Sequence, residues 1–421
     1  MLDRKTAPDF QLIKSHKLPE INTQNLKNDI LFHQLITKNQ PVLGLQIVFE
    51  AGKCQEKKIG EASFMAKMLL EGTTTKTGKQ IADTISFYGA SINIDSGHDF
   101  TIVSFYMLGK HLEHLLPLLK EVLQEPTFPQ SELDNLKNRS VQNLKIQEER
   151  TAYLATVKIK EELFKENHPY SNSSSEENIR AIERDDLIKF YKNNIQSNSF
   201  EAYLVGDIDA YSEKHITDFI ESFEIKSDKK DKKTLQNPTN SVSKIYKEIE
   251  DNVQTSIRIG KLLFNQKHSD YIPFKVMNMI LGGYFGSRLM QNIREDKGYT
   301  YGISSRDLAF KNGSYFLIGT DVKKEIYQDA VAEIYKEIER LKNEPISEEE
   351  LENVKNYMSG NFLGSLSTAF AVMDKIQDIH LYSLNSDYYN NYITKLRKVT
   401  IEDVQRVAQT YLVDLTEVCI G

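Results

Sequence analysis

Tryptophan is absent and cysteine nearly so: the 421 residues include no Trp and only two Cys, Cys54 and Cys419. Two thiols so far apart in the chain exclude a disulfide framework and any CxxC metal or redox site, and they read as reduced, partly buried side chains. No apolar run reaches the roughly 18 residues that a membrane-spanning helix needs. No long basic tract occurs, and the net charge is -7, so the electrostatic footprint of a nucleic-acid binder is missing. The first residues, Met1 to Pro8, lack the apolar core and small-residue cleavage site of a secretory signal, which makes the cytoplasm the expected location.

What is present is ordinary for a soluble globular chain, with 40% hydrophobic and 27% charged residues. The length is too great for one core and implies two or three domains. A polar, lysine-rich stretch over 226–243 contains Pro238 and almost nothing apolar, and reads as a linker between a domain at 1–225 and another at 244–421.

The two parts repeat one pattern. Each opens with a strand-like run, at 43–49 and at 255–260, and continues into a helix, at 62–71 and 271–294. Aromatic and β-branched strands follow at 91–107 and 299–322, then an amphipathic helix at 112–123 and 326–341. A proline-bearing turn and a long helix come next, at 130–147 and 348–362. A helical segment at 185–193 and 401–411 and a strand at 200–205 and 417–420 close each part. Strand runs followed by helix runs predict an α+β fold of two tandem units, each an antiparallel-rich sheet packed with helices.

One segment, Gly282 to Gly302, carries the most chemistry. An apolar helix is expected to end in a charged turn at Gly298, with an aromatic-rich strand beyond it. Arg294 lies near the end of that helix and Tyr301 seven residues on. The reversal brings two strong hydrogen-bond donors close, an arrangement suited to an extended peptide or an oxyanion. Period two would place Tyr299 and Tyr301 on one strand face, with Tyr299 the packing residue.

Gly282-Gly283, Ser287-Arg288-Leu289, and Arg294-Glu295 through Gly298 to Tyr301 resemble the pitrilysin/insulinase/mitochondrial processing peptidase family of inverted zinc peptidases. The first half matches in outline at Gly60 to Thr73, at His168-Pro169-Tyr170 and at Tyr203 to Asp207. The resemblance implies two tandem α/β-roll domains that form half of a clamshell. It also implies a His-x-x-Glu-His zinc motif in the first domain. Here the histidine positions hold Ser63 and Lys67, and the glutamate position holds Ala66. Serine is a poor zinc ligand, an ammonium has no lone pair, and alanine cannot take a proton from water. The family's third ligand falls near Asn143 or Leu144, with Glu148 and Glu149 out of register.

Some paired bacterial members of the family divide the work: one subunit holds zinc, and the other supplies an arginine and a tyrosine that align with Arg294 and Tyr301. The resemblance thus implies a catalytically incomplete subunit with no cofactor of its own. Zinc is expected in a partner subunit of the same family, with a peptide as the substrate. Asn93, in a probable edge strand, would bind substrate by backbone pairing. Two alternatives are a non-enzymatic core-subunit-like protein and a self-associating peptide-binding chamber, since the apolar rim of a clamshell half makes a homodimer reasonable. His111-Leu112-Glu113-His114 has no third ligand and reads as exposed polar residues. His168 is expected to anchor a loop. Ser63 and Lys67, at i and i+4, read as a degenerate site rather than a new nucleophile and base.

Overall fold

The structure, a computed structural model, describes residues 12–421 except 39, 197, 226–234, 236–237 and 239–241. Most of the expected linker therefore lies outside the described residues. The first sheet contains β1 (Asn22–Asn25), β2 (Leu31–Ile36), β3 (Val42–Phe49), β4 (Ser91–Ser96), β5 (Thr101–Leu108) and β6 (Phe200–Gly206), in the order β1-β2-β6-β3-β5-β4. The second contains β7 (Lys244–Lys247), β8 (Gln254–Leu263), β9 (Ile303–Phe310), β10 (Gly313–Lys323) and β11 (Thr416–Ile420), in the order β7-β11-β8-β10-β9. Without β1 the two orders coincide. In each, the last strand of the half inserts between two strands that follow one another in sequence, β2 and β3 or β7 and β8. It runs parallel to β2 or β7 and antiparallel to β3 or β8. The α+β architecture of two tandem units follows.

Side-chain alternation builds both sheets. Along β5, Thr101, Val103, Phe105 and Met107 are buried while the residues between them are half-buried. The first core packs this face against helices Glu61–Met68, Leu112–Gln124, Gln130–Glu148 and Arg184–Asn194. The second packs β8 and β10 against Tyr271–Asn278, Tyr327–Asn343, Glu348–Gly364 and Ile401–Tyr411. Hydroxyl caps fix where helices begin: Ser347 accepts from the Glu350 N–H and Thr400 from the Asp403 N–H.

Two helices absent from the expected repeat join the halves. Thr151–Phe164 belongs to the first half but lies on β8 and β11 of the second. Its Ala155, Ile159 and Leu163, four residues apart, meet Tyr315, Leu317, Val418 and Ile420. Reciprocally, Ala369–Leu381 of the second half lies on β6 of the first. Its Val372, Met373 and Ile376 meet Leu35, Val48, Tyr203 and Val205. Each half thus covers the other's outer sheet face.

The β9–β10 hairpin also crosses between halves. Asp99 Oδ2 accepts from the Lys311 N–H at 3.0 Å, and its Oδ1 accepts from the Tyr170 hydroxyl at 2.8 Å. The same hydroxyl accepts from the Asn312 N–H at 3.1 Å. Cys54 Sγ donates to Asp99 at 3.5 Å, and burial, then the Asp99 charge, pushes this thiol up to about 12. Among the described residues no helix is long and apolar enough to cross a membrane.

Candidate functional site

The segment from Tyr271 to Arg294 is not one uninterrupted helix, as its apolar content suggested. Helix Tyr271–Asn278 runs into a π turn over Met279–Gly283, the chain extends at Tyr284, and a second π segment spans Met290–Asp296. The glycines explain the break. A Cβ on Gly282 would lie 2.6 Å from Ser305 Oγ and 2.8 Å from the Ser305 nitrogen, so only glycine lets β9 approach this closely. Wide π turns of this kind recur at functional sites.

Arg288 and Leu289 hold the second segment in place. Leu289 is fully buried, and Arg288 makes a bidentate pair with Glu350, Nε to Oε1 at 2.9 Å and Nη2 to Oε2 at 2.8 Å. Asn292 Nδ2 donates to Glu333 at 2.9 Å and to Glu337 at 2.7 Å. These contacts tie the Arg294 segment to two neighbouring helices.

The reversal after Arg294 is closed by backbone. Gly298 adopts φ +65, Tyr299 N donates to Ile293 O at 3.0 Å, and Gly298 N donates to Arg294 O at 3.2 Å. The stretch beyond is a bend and not the expected strand, since β9 starts only at Ile303. The reason is Thr300. Its hydroxyl donates to Asp321 O at 2.9 Å and accepts from Gly302 N at 3.1 Å, replacing ladder hydrogen bonds with a local turn. Tyr299 and Tyr301 consequently do not alternate as strand neighbours. Tyr299 packs against the second core, whereas Tyr301 is 99% exposed.

Arg294 is partly sheltered, with its side chain 33% exposed. Its guanidinium lies 4.7 Å from the centre of the Phe285 ring, and Nη1 is 3.0 Å from Glu295 Oε1. That nitrogen is shielded from solvent and has no well-aligned hydrogen-bond acceptor. Phe285 itself is 67% exposed, so the arginine and the phenylalanine form a cation–aromatic pair at the surface, while Tyr301 stands bare beyond the turn.

The degenerate zinc positions lie in the other half, on helix Glu61–Met68 beside β4 and against helix Gln130–Glu148. Ala66 is buried, Ser63 half-buried and Lys67 exposed. Of the third-ligand positions, Leu144 is buried and Asn143 exposed. Asn93 lies on β4, which pairs only with β5 and forms the sheet edge. Its amide donates to Asp95 two residues on, along the exposed face of the strand. Among the described residues, no hydrogen bond, ion pair or ring contact joins Asn93 or Lys67 to Arg294 or Tyr301.

His114 stacks on Tyr88 and His111 meets the same ring at a tilt, at centroid separations of 5.0 and 5.1 Å, while Glu113 accepts from the Tyr211 hydroxyl at 2.8 Å. His168 anchors its loop by accepting from Tyr170 N at 3.1 Å. The one close trio of potential metal ligands among the described residues is His33, Glu201 and His380, which sequence spacing did not indicate.

Comparisons with known proteins agree with this fold. The family profile described as "Insulinase (Peptidase family M16)" matches residues 35–173, and that described as "Peptidase M16 inactive domain" matches 181–358. The chain is 25% identical over 430 residues to the "Non-peptidase homolog YmxG" of Helicobacter pylori, covering 98% of this chain and 93% of that one. It is 24% identical over 353 residues to the "Uncharacterized zinc protease YmxG" of Bacillus subtilis, covering 83% and 85%. It is 21% identical over 404 residues to the human "Mitochondrial-processing peptidase subunit alpha", covering 87% and 75%. A crystal structure described as a peptidase M16 inactive domain from Pseudomonas fluorescens superposes with a TM-score of 0.87 at 24% identity, covering 96% and 98%. A protease from Helicobacter pylori gives 0.87 at 18% identity, covering 96% and 100%. With Ser63, Ala66 and Lys67 in place of zinc ligands and base, this chain is a catalytically incomplete protein of the insulinase fold, and it belongs to the insulinase, or M16, peptidase family.

Proposed function

We propose that the chain is the non-zinc subunit of a two-subunit zinc endopeptidase and that it supplies Arg294 and Tyr301 to a peptide held at the partner's zinc. The observation that carries this reading is the contrast around Gly298. The turn is braced by Arg288, Asn292 and Thr300, yet Tyr301 at its end is 99% exposed and packs against nothing of its own chain. An aromatic held in open solvent by a rigid support suits a surface completed by another molecule. The relation to the alpha subunit of a processing peptidase, a protein named as one of several subunits, supports pairing.

In this role guanidinium and phenol are fixed donors aimed at the oxygen that gains charge when the scissile carbonyl becomes tetrahedral. The Glu295 partner of Arg294 is 46% exposed, so releasing it costs little. The free edge of β4 near Asn93 offers backbone groups to an extended peptide. The partner brings zinc and the general base, because Ser63, Ala66 and Lys67 offer neither.

Reconstitution tests this. The chain is mixed with a zinc-bearing family member from the same organism, and cleavage of an unstructured peptide is followed. Arg294→Ala should lower kcat about a hundredfold, and Tyr301→Phe by a factor of roughly ten to a hundred, with the complex still assembled on a sizing column. Cleavage at the parent rate by both variants would sink the donor role.

The name of the Helicobacter pylori relative favours a second reading, a non-peptidase that binds peptide or supports assembly. On that reading no zinc-bearing partner restores cleavage, and Arg294→Ala lowers only peptide affinity.

A further inference from the structure

Far from Arg294, on the outer face of the first sheet, three side chains converge from three elements. His33 lies on β2, Glu201 on the adjacent β6, and His380 near the end of the Ala369–Leu381 helix contributed by the second half. The parallel register pairs His33 with Tyr203, which puts Glu201 two residues away on the same face. The ligand atoms of the three residues lie within 4.8 Å of one another. The two imidazole rings are 4.1 Å apart between centroids.

His33 is 0% exposed. Its Nδ1 sits 3.0 Å from Thr23 Oγ1, while its Nε2 is buried with no hydrogen-bond partner among the described residues. Glu201 Oε2 is 3.9 Å from that nitrogen, too far for a hydrogen bond. Either tautomer of a neutral His33 is left with an unmet group. With the proton on Nδ1, a bare lone pair faces a carboxylate. With it on Nε2, an N–H has no acceptor in reach. A cation between the nitrogen and the carboxylate satisfies all three groups at once.

We propose that His33, Glu201 and His380 form a divalent transition-metal site of the zinc class, which clasps the second half's helix to the first half's sheet. Two imidazoles and one carboxylate are a ligand set that zinc favours. The supporting contacts fit as well. Thr23 on Nδ1 orients His33, and the Tyr203 hydroxyl donates to Glu201 Oε2. Zinc at its usual bond lengths sets tetrahedral ligand atoms about 3.4 Å apart. Glu201 and His380 are both partly exposed and can close the remaining gap by side-chain rotation, while His33 stays fixed. The 31% exposure of the Glu201 side chain leaves an entry path and room for water in a fourth position. This site is separate from Ser63, Ala66 and Lys67 and stands whether or not the chain has a peptidase partner.

The full chain is stripped with chelator and titrated with Zn2+, and with Co2+ as a coloured substitute. One equivalent of zinc should bind, with tetrahedral Co2+ absorption and a rise in Tm. His380→Ala should abolish the equivalent, and Glu201→Gln should weaken it tenfold or more, roughly the loss seen on disturbing metal surroundings. Both positions are partly exposed, so these variants should remain folded, whereas His33→Ala would open a cavity in the dock. Lys67→Ala should bind like the parent. Failure to bind Zn2+ at tens of micromolar, or an equivalent that survives His380→Ala and Glu201→Gln unchanged, would overturn the site. Zinc lost on Lys67→Ala would instead point to the degenerate motif and contradict the function proposed above.

Discussion

The two helices that cross between halves dock on equivalent sheet faces with unlike chemistry. Under Thr151–Phe164, Arg258 is nearly buried and fully occupied. Its Nη1 donates to Ile257 O, Thr320 O and Asp321 Oδ1 at 2.9, 3.1 and 3.1 Å, and its Nε to Thr156 Oγ1 at 3.2 Å. Thr151 and Ser256 add a buried hydroxyl pair at 2.8 Å. Under Ala369–Leu381, the corresponding polar groups are two imidazoles and a carboxylate, with one ring nitrogen unmatched. The first dock is self-sufficient because a guanidinium carries its own charge and five donors. The second is built from groups that acquire a positive centre only from outside. Two repeats of one architecture can thus assign one interface to permanent packing and the other to a conditional contact.

Acid should expose this difference most strongly. Burial, and then the His380 charge, pushes His33 from its ordinary value of 6.5 down to about 3, so between those values the unfolded chain holds the extra proton. Stability contributed by neutral His33 is present above pH 6.5 and is lost as the pH falls toward 3. The loss approaches about 1.4 kcal/mol per pH unit. The groups around it are His380, Glu201 and Tyr203, with Asp378 acting on Tyr203. Urea midpoints at pH 7 and pH 4.5 should therefore differ more in the parent than in His33→Gln, by roughly 2–3 kcal/mol. An identical acid response in both chains would remove the contrast between the docks. His98, depressed to about 4 by burial and then by the Lys53 charge, adds a background loss common to both chains.

Arg258→Ala comes next. It strips partners from buried carbonyls while Asp321, at 43% exposure, keeps its water, so a loss of about 2 kcal/mol is expected by urea unfolding, without the pH signature of His33. Ser256→Ala should cost least, about 1 kcal/mol, since it removes one hydroxyl pair. If Ser256→Ala proved as costly as Arg258→Ala, the dock would rest on packing fit rather than on the guanidinium.

The repeat and its α+β order were legible in the sequence because alternating burial, as in β5, follows alternating residue type. The loss of zinc chemistry was legible from residue identity alone. The two crossing helices were not, although Ala155, Ile159 and Leu163 carry a spacing of four that marks a helical stripe. The stripe serves the other half's sheet, so reading each half by itself gives it no purpose. The helix break at Gly282 was signalled by Gly282, Gly283 and Gly286, but only the approach of Ser305 shows why glycine is required. Thr300 likewise overrides the strand character of its aromatic neighbours through side-chain bonds that composition does not reveal. His33 and His380 stand almost a whole chain apart, and topology alone brings them together.

The β9 strand has a mechanical consequence. Its far end is fastened to the first half by Asp99 and Tyr170 through Lys311 and Asn312, and its near end follows Thr300, which is fastened to Asp321. A strand pinned at both ends is a strut. Tyr301 sits at one foot of that strut, two residues before β9 begins, so residues of the first half help fix where a side chain of the second half stands in solvent.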